Sequence, residues 1–340
     1  MSLFSTTGGR LRAAWRIGLF YLLFLALAIV VSAASILVVP ALEQGLATVF
    51  YAVATLASAL AASWWFAERL EGFPLAALGL PLDRLVPAEL GRGFVVGGGL
   101  IALAVAALAV TGSATWRLEP GGIRALPLLG SFLRFTLFLL AAAWAEELLF
   151  RGYPLQAAAE RIGGPGAIAL TSLLFALAHG ANPGLAAALM DGVTLADILP
   201  LVNLALAGVL LGLAYWRTYS LWFATGVHLG WNWVMGFAAD LPVSGLEGGS
   251  PGYALFDTPG FEAVVEGGRL WTGGEFGPEG GLAVTAASVV AIGWLATTDR
   301  LERSLRIRAL DPLPDRRGRE GVAAGDPGLA ATDTAERSET

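Results

Sequence analysis

The amino-acid sequence predicts an all-α membrane protein, a polytopic bundle of about eight transmembrane helices with both termini in the cytoplasm. Three observations lead to this fold class. Hydrophobic residues make up 56% of the 340 residues and charged residues only 14%, a balance foreign to soluble domains of this length. Apolar runs long enough to cross a bilayer recur along the chain. The arginines concentrate in alternate connections between those runs, which indicates their orientation.

Eight apolar runs approach or reach the roughly 17–25 residues that a membrane-spanning helix needs. They lie at Trp15–Val39, Ala47–Phe66, Gly93–Thr111, Phe132–Ala158, Pro165–His179, Ile198–Trp216, Leu221–Ala239 and Leu282–Thr297. The first run lacks a small-residue cleavage site, so we interpret it as a membrane helix and not as a cleaved signal. The fourth and fifth runs are predicted to form a hairpin whose turn lies at Gly163–Pro165.

The arginines predict which connections face the cytoplasm. If there are eight spans, most of them fall on one side: Arg10, Arg12, Arg16, Arg69, Arg84, Arg92, Arg161, Arg217, Arg300, Arg303, Arg306 and Arg308. The exceptions lie between the third and fourth spans, at Arg117, Arg124 and Arg134. The basic residues are all arginine and the chain has no cysteine. This arginine-only usage hints at a GC-rich bacterial genome, and we therefore predict a multi-pass protein of the bacterial inner membrane.

The same pattern divides the chain into five regions. Residues 1–131 hold three N-terminal helices, 132–240 a four-helix core, 241–281 an acidic, glycine-rich external loop, 282–299 the last helix, and 300–340 a basic segment with a disordered tail. The loop is predicted to be irregular. Glu43, Asp191 and Asp197, in other outer connections, are interpreted as solvated surface. The arginines from Arg300 to Arg308 suit lipid headgroups, and nothing in the sequence supports nucleic-acid binding.

Polar residues inside the apolar runs indicate the candidate site. Glu146, Glu147 and Arg151 lie in the fourth run, and both histidines of the chain, His179 and His228, lie in others. A charged side chain at bilayer depth costs roughly 2.5–3.5 kcal/mol on insertion scales, so it usually faces a partner or a wet cavity. A structural ion pair that locks helices together is one explanation, and a catalytic or ion-handling carboxylate is another.

Helical spacing predicts which of these side chains share a face. Glu147 and Arg151 are four residues apart, as are His228 and Asn232, whereas Glu146 is rotated by about 100° from Glu147. One carboxylate can therefore pair with Arg151 while the other points towards the histidines. Along the predicted hairpin, the rise of 1.5 Å per residue brings Glu147 and His179 to within about 3 Å of the same depth.

This combination is suited to hydrolysis. A buried carboxylate and a neutral histidine can together bind and deprotonate a water molecule. A neutral histidine and an asparagine amide, such as His228 and Asn232, can donate hydrogen bonds to a developing oxyanion. Buried Glu and His side chains also serve proton relays, which keeps an ion or proton transporter open, although no inverted repeat is visible.

Three motifs, in this order on successive spans, carry a resemblance to a known family: Glu146-Glu147-x-x-x-Arg151, Phe175-x-x-x-His179 and His228-x-x-x-Asn232. They resemble the motifs of the CPBP family (CAAX proteases and bacteriocin-processing enzymes, also called Abi). The approach to the third motif, Leu211–Trp222, is similar as well. The resemblance covers residues 132–239 and implies an intramembrane endopeptidase, akin to the type II enzymes that trim prenylated CAAX proteins.

Carried over residue by residue, the resemblance implies a role for each motif position. Glu146 is the general base on the water, His179 positions that water, and His228 and Asn232 are the oxyanion donors. Glu147 and Arg151 give support, and Phe175 lies on the face of His179. Bacteria generally lack prenylated CAAX proteins, so the expected partners are the lipid bilayer and a membrane-associated peptide or protein substrate.

Two departures and two alternatives accompany this interpretation. Pro154 is predicted to kink or end the fourth helix, and the connection 180–199 is longer than expected and can shape substrate entry. Zinc is possible, with Glu146, His179 and His228 as its three ligands, but the sequence has no H-E-x-x-H motif and we favour hydrolysis that needs no cofactor. The alternative to an active protease is a catalytically idle membrane scaffold or immunity protein of the same fold.

Overall fold

Long apolar helices make up most of the structure, which confirms the predicted all-α membrane bundle. The computed structural model describes residues 11–36, 39–181, 194–245 and 258–301. The helices are α1 (Ala13–Ser35), α2 (Gln44–Trp64), α3 (Val86–Val110), α4 (Ala125–Phe150), α5 (Tyr153–Ala178), α6 (Leu195–Thr218), α7 (Leu221–Trp233), α8 (Arg269–Thr272) and α9 (Leu282–Thr297). Two short strands, β1 (Ala114–Leu118) and β2 (Phe261–Val265), form an antiparallel pair.

Five helical stretches of the described residues are long and apolar enough to cross a membrane. They are Ala13–Ser35, Gly45–Leu70, Val86–Val110, Ala125–Ala178 and Leu195–Thr218, and the fourth of them contains both α4 and α5. The apolar helix α9 is shorter, at 16 residues, and α7 continues through a π-helical turn to Ala238. The chain is therefore a multi-pass membrane protein, and the number of eight spans stays a prediction.

The turn between α4 and α5 corrects the predicted hairpin at Gly163–Pro165. Helix α4 ends at Phe150, not near Ala158, because the chain leaves helical geometry at Gly152 and Pro154 lies in the first turn of α5. A second break follows at Gly163, whose φ of 68° is a left-handed conformation open to glycine. The fourth helix thus ends shortly before Pro154, as predicted. The chain then changes direction in two steps, at Gly152 and at Gly163.

The segment between these two breaks lies across one end of the bundle. Gln156 donates to the hydroxyl of Tyr215 at 2.5 Å, and Gly164 packs against the ring of Trp216, the next residue of α6. This arrangement returns the second part of α5 alongside α4, so that the end of α5 lies beside the end of α4. The path from α4 into α5 therefore sets the position of His179.

Close backbone contacts hold α7 against α3. A Cβ atom added to Gly97 would collide with the backbone of Val227, and one added to Gly226 or Gly230 would collide with backbone atoms of α3. Small residues that let two backbones approach are the usual device of helix pairs in membranes. Because Val227 precedes His228, this contact fixes the depth of that histidine.

A buried ion-pair cluster ties α1 to the first part of α5. Arg16 pairs with both Glu71 and Glu160, and the hydroxyl of Tyr153 donates to Glu71 at 2.8 Å. The arginine, predicted as a flanking residue of the first span, is instead buried. The contacts connect the N-terminal helix with the segment that follows the Glu146–Arg151 motif.

The segment after α7 corrects the prediction of an irregular acidic loop. Strand β2 pairs with β1 in the register Ala114↔Val265 to Leu118↔Phe261. Asp240 accepts hydrogen bonds from the backbone N–H groups of Thr258 and Ala263 at 2.8 and 3.2 Å. Residues 258–281 therefore form an ordered cap on the end of the bundle opposite to Arg16, which we call the roof.

Asp197 is part of this packing and not solvated surface as predicted. It is buried at the start of α6, where it forms a capping box with Thr194. Its other oxygen accepts from Arg269 of the roof at 2.9 Å. Glu43 is exposed, as predicted. Asp191, much of the 180–199 connection and the predicted tail 302–340 lie outside the described residues.

The structure offers a direct test of the predicted orientation. Leu82 lies in the connection between α2 and α3 near the Arg16 end and is 85% exposed, and Leu118 lies in β1 at the roof end and is 74% exposed. Since the chain has no cysteine, Leu82→Cys and Leu118→Cys each introduce a single label site. With the arginine-rich side inside, a membrane-impermeant maleimide should label Leu118→Cys in intact cells and Leu82→Cys only after permeabilisation. The reverse labelling pattern would show that the orientation is wrong.

Candidate active site

Glu147 joins two of the predicted site residues at the centre of the bundle. Its Oε1 accepts from the guanidinium of Arg151 at 3.0 Å and from Nδ1 of His228 at 2.9 Å. The side chains of Glu147 and Arg151 have no solvent exposure. The i, i+4 pair predicted from the sequence is present, and the contact to His228 adds a link from α4 to α7 that the spacing did not indicate.

Arg151 is held by more than its ion pair. Its second terminal nitrogen donates to the carbonyl of Gly208 on α6 at 3.2 Å. Its guanidinium carbon lies 4.5 Å from the ring centroid of Phe175, within the range of a cation–π contact. Phe175 also packs against the ring of His179, with the two centroids 4.5 Å apart. One arginine therefore organises α4, α5 and α6 around the pair of carboxylates.

Glu146 lies between the two histidines. Its Oε2 is 3.9 Å from Nε2 of His179 and 3.7 Å from Nε2 of His228. These separations exceed the length of a hydrogen bond, and this oxygen is buried with no hydrogen-bond partner among the described residues. The side chain as a whole is 30% exposed, whereas that of Glu147 is fully buried. The two adjacent carboxylates thus occupy different environments.

The hydrogen bonds of the histidines assign their tautomers. Nδ1 of His179 lies 2.8 Å from the carbonyl oxygen of Phe175, and a carbonyl only accepts, so Nδ1 carries the hydrogen. Nδ1 of His228 donates to the carboxylate of Glu147 in the same way. Each ring therefore turns its Nε2 towards Glu146.

A cavity of about 150 Å³ contains this arrangement. The predicted residues Glu146, Phe175, His179, His228 and Asn232 all line it. The rest of its wall is mainly apolar and comes from α4, α6 and α7: Phe138, Leu139, Ala142, Leu204, Ala207, Leu210, Leu211, Val227 and Trp231. A cavity with a few converging polar groups in an apolar wall is the usual form of a ligand or active site.

The sequence analysis missed three residues at the far end of the cavity. Glu279 and Ser244 line it, and Asn203 of α6 donates to the carbonyls of Glu279 and Gly281 at 2.7 and 3.0 Å. Asn203 was detectable, as an isolated amide in an apolar span. Glu279 gave no such signal, because it lies among several acidic residues of a glycine-rich stretch.

The site does not present a metal-binding arrangement. Nε2 of each histidine and Oε2 of Glu146 are the right donor types for zinc. Among the described ranges, however, no three or more His, Cys, Asp or Glu side chains are grouped so that they could hold a metal ion. We therefore derive no step through a metal.

One comparison with known proteins gives a match. Residues 128–234 match the family model described as type II CAAX prenyl endopeptidase Rce1-like, and this confirms the resemblance inferred from the three motifs. The matched range contains every residue of those motifs. No curated protein and no solved structure matched the chain. The similarity points to a membrane protease of the CAAX type, in agreement with the apolar helices.

Proposed function

We propose that this chain, which carries an Rce1-like domain over residues 128–234, is an intramembrane endopeptidase that uses a water molecule activated by Glu146. One observation carries the proposal: an unpartnered oxygen of Glu146 lies 3.7 and 3.9 Å from the Nε2 atoms of two histidines inside an apolar cavity. Polar groups separated by more than about 3.5 Å are commonly joined by a water. A water placed there contacts all three groups.

In the proposed reaction, Glu146 removes a proton from this water as its oxygen attacks the carbonyl carbon of the scissile peptide bond. The unprotonated Nε2 of His179 accepts a hydrogen bond from the other O–H of the water and fixes its direction. That hydrogen stays on the attacking oxygen and ends in the carboxylic acid product. The carbonyl oxygen becomes an oxyanion, and the proton taken by Glu146 is passed to the leaving nitrogen as the C–N bond breaks. Every proton is thus accounted for by the chain and the water.

The oxyanion requires donors, and the contacts of His228 support its protonated form in this role, in place of the neutral histidine expected from the sequence. A neutral His228 that donates from Nδ1 to Glu147 has no hydrogen on Nε2, so only its imidazolium form donates there. Two carboxylates, Glu146 and Glu147, flank that ring, and Glu147 also pairs with Arg151. If His228 is an imidazolium, the two negative and two positive charges of these four groups sum to zero. Neutrality of this kind is favoured in a low-dielectric site. We propose that His228 acts as an imidazolium, beside the amide of Asn232.

The mainly apolar wall of the cavity suits an unfolded segment of a membrane protein or a membrane-bound peptide as the substrate. We keep the cell membrane of a bacterium as the proposed location. The family match over residues 128–234 favours an endopeptidase over a transporter. Cleavage of a trapped substrate distinguishes an active enzyme from an idle scaffold.

A trapping experiment tests this function. We expect the Glu146→Ala variant to bind its substrate without cleaving it, because the base is absent while the cavity remains. Whole membranes that express the variant or the wild type are crosslinked, and the captured proteins are identified. Proteins enriched on the variant should be shortened when incubated with wild type in liposomes. If wild type cleaves none of them, the proposed endopeptidase activity is wrong.

A further inference from the structure

The cavity has a second polar end, at the roof. Glu279 lines the cavity together with the catalytic candidates, yet it comes from residues 258–281, beyond the Rce1-like domain. Its Oε1 accepts from the indole N–H of Trp231 at 3.1 Å. Its Oε2 accepts from the backbone N–H and the hydroxyl of Ser244 at 2.8 and 2.7 Å. Trp231 is three residues after His228 on α7, so the residue that donates to this carboxylate lies about one helical turn from the histidine.

The surroundings hold Glu279 in this place. Ser244 has a left-handed backbone, with φ of 52°, a strained conformation for a residue other than glycine, and it directs two donors at one carboxylate oxygen. On the other side, Asn203 of α6 fixes the backbone carbonyl of Glu279. The carboxylate is thus positioned by three elements of the fold, α6, α7 and the segment that follows α7.

Glu279 is buried and lacks a cation. Its residue exposure is 7%, and no arginine or histidine of the described ranges forms an ion pair with it. The undescribed stretches nearest in sequence cannot supply one, because residues 182–193 and 246–257 contain no basic residue. A buried carboxylate that has only neutral donors retains a large desolvation cost. A cation that enters the cavity would offset that cost.

We propose that Glu279 is a specificity residue that binds the positively charged side chain of a substrate lysine or arginine close to the scissile bond. The proposal rests on the endopeptidase function above and adds the substrate class. The wall between the two ends of the cavity is apolar, with Leu204, Leu211 and Val227 among its residues. A lysine or arginine fits such a wall, since its stem is aliphatic and its charge lies at the tip.

Binding can be measured without any catalysis. The probes are n-hexylammonium and n-hexanol, which share the stem and differ in charge, and the readout is thermal stabilisation of the full-length protein in detergent. We expect hexylammonium to bind wild type and Glu146→Gln at least about tenfold more tightly than hexanol, a difference of 1.4 kcal/mol. In Glu279→Gln this difference should disappear. Equal binding of the two probes to wild type would overturn the proposal.

Cleavage provides the second readout. Internally quenched peptides are compared that carry either lysine or norleucine at one position near the cleaved bond. Removal of one partner of a buried, hydrogen-bonded charge pair weakens binding by about 30-fold or more. Wild type should therefore favour the lysine peptide by at least about that factor in kcat/KM. In Glu279→Gln the ratio should fall to about one.

Ser244→Ala is the matched control, because it removes a hydrogen bond from the same carboxylate and leaves the charge in place. It should keep the preference for lysine even if it lowers the melting temperature as much as Glu279→Gln does. A preference that survives Glu279→Gln shows that Glu279 only supports the roof. If wild type cleaves no peptide but binds hexylammonium selectively, the endopeptidase function fails and the cation site stands.

Discussion

The Glu147→Gln variant is expected to melt well below wild type, whereas Glu146→Gln should melt close to wild type and lose turnover. Glu147 is fully buried and accepts from both Arg151 and His228, so an amide there leaves the arginine without its counter-charge. Breaking a buried pair costs about 3–5 kcal/mol. Glu146 is partly exposed to the cavity, and its Oε2 has no hydrogen-bond partner among the described residues, so replacement by glutamine breaks no hydrogen bond of this oxygen and leaves Glu147 paired with Arg151 and His228. Loss of a general base lowers turnover by about 10²- to 10⁴-fold.

The measurements are melting temperature in detergent and turnover of a substrate identified by trapping. The double variant Glu147→Gln/Arg151→Gln is the control, because it removes both charges of the pair. It should recover part of the stability that Glu147→Gln loses, since contacting residues of one ion pair are not additive. If Glu146→Gln lowers the melting temperature more than Glu147→Gln does, the roles of the two carboxylates are reversed.

The second large effect concerns His228 and the metal question. If Glu146 and His179 hold the water directly, activity should persist in EDTA or phenanthroline, and the purified protein should contain well under one zinc per chain. His228→Ala should then lower turnover by about a hundred- to a thousand-fold, as the loss of an oxyanion donor does, without a change in metal content. We expect this loss of turnover because Nδ1 of His228 donates to Glu147, which leaves its Nε2 to face the cavity.

Elemental analysis of wild type, His228→Ala and His179→Ala, next to chelator-treated activity, separates the two chemistries. Loss of a metal ligand lowers metal content and turnover together, and added zinc restores the activity of chelated wild type. Stoichiometric zinc that disappears with either histidine would contradict the glutamate-activated water. His179→Ala serves as the comparison, since its proposed role is to position the water and not to stabilise the oxyanion.

The sequence alone determined that this chain is built for a membrane, and it identified most of the polar residues that the structure brings together around one cavity. Apolar runs of membrane length are a local property, so composition and periodicity identify them without knowledge of the fold. A charged residue inside such a run is costly enough to be conspicuous, which is why Glu146, Glu147 and Arg151 stood out. The i, i+4 pairing of Glu147 with Arg151 is likewise set by helix geometry, and the structure contains it at 3.0 Å.

Only the tertiary structure decided which partners those residues have. The break at Gly152, the second break at Gly163 and the crossing of α5 over the end of α6 depend on packing between distant segments. The hydrogen bond from His228 to Glu147 joins residues 81 positions apart, and no local spacing encodes it. Glu279 is the clearest case, because an acid in a glycine-rich stretch is normally solvated, and its burial here is created by Asn203, Trp231 and Ser244. Local periodicity specifies which face of a helix is apolar, whereas partners across the bundle are specified by which helices meet, and that requires the whole fold.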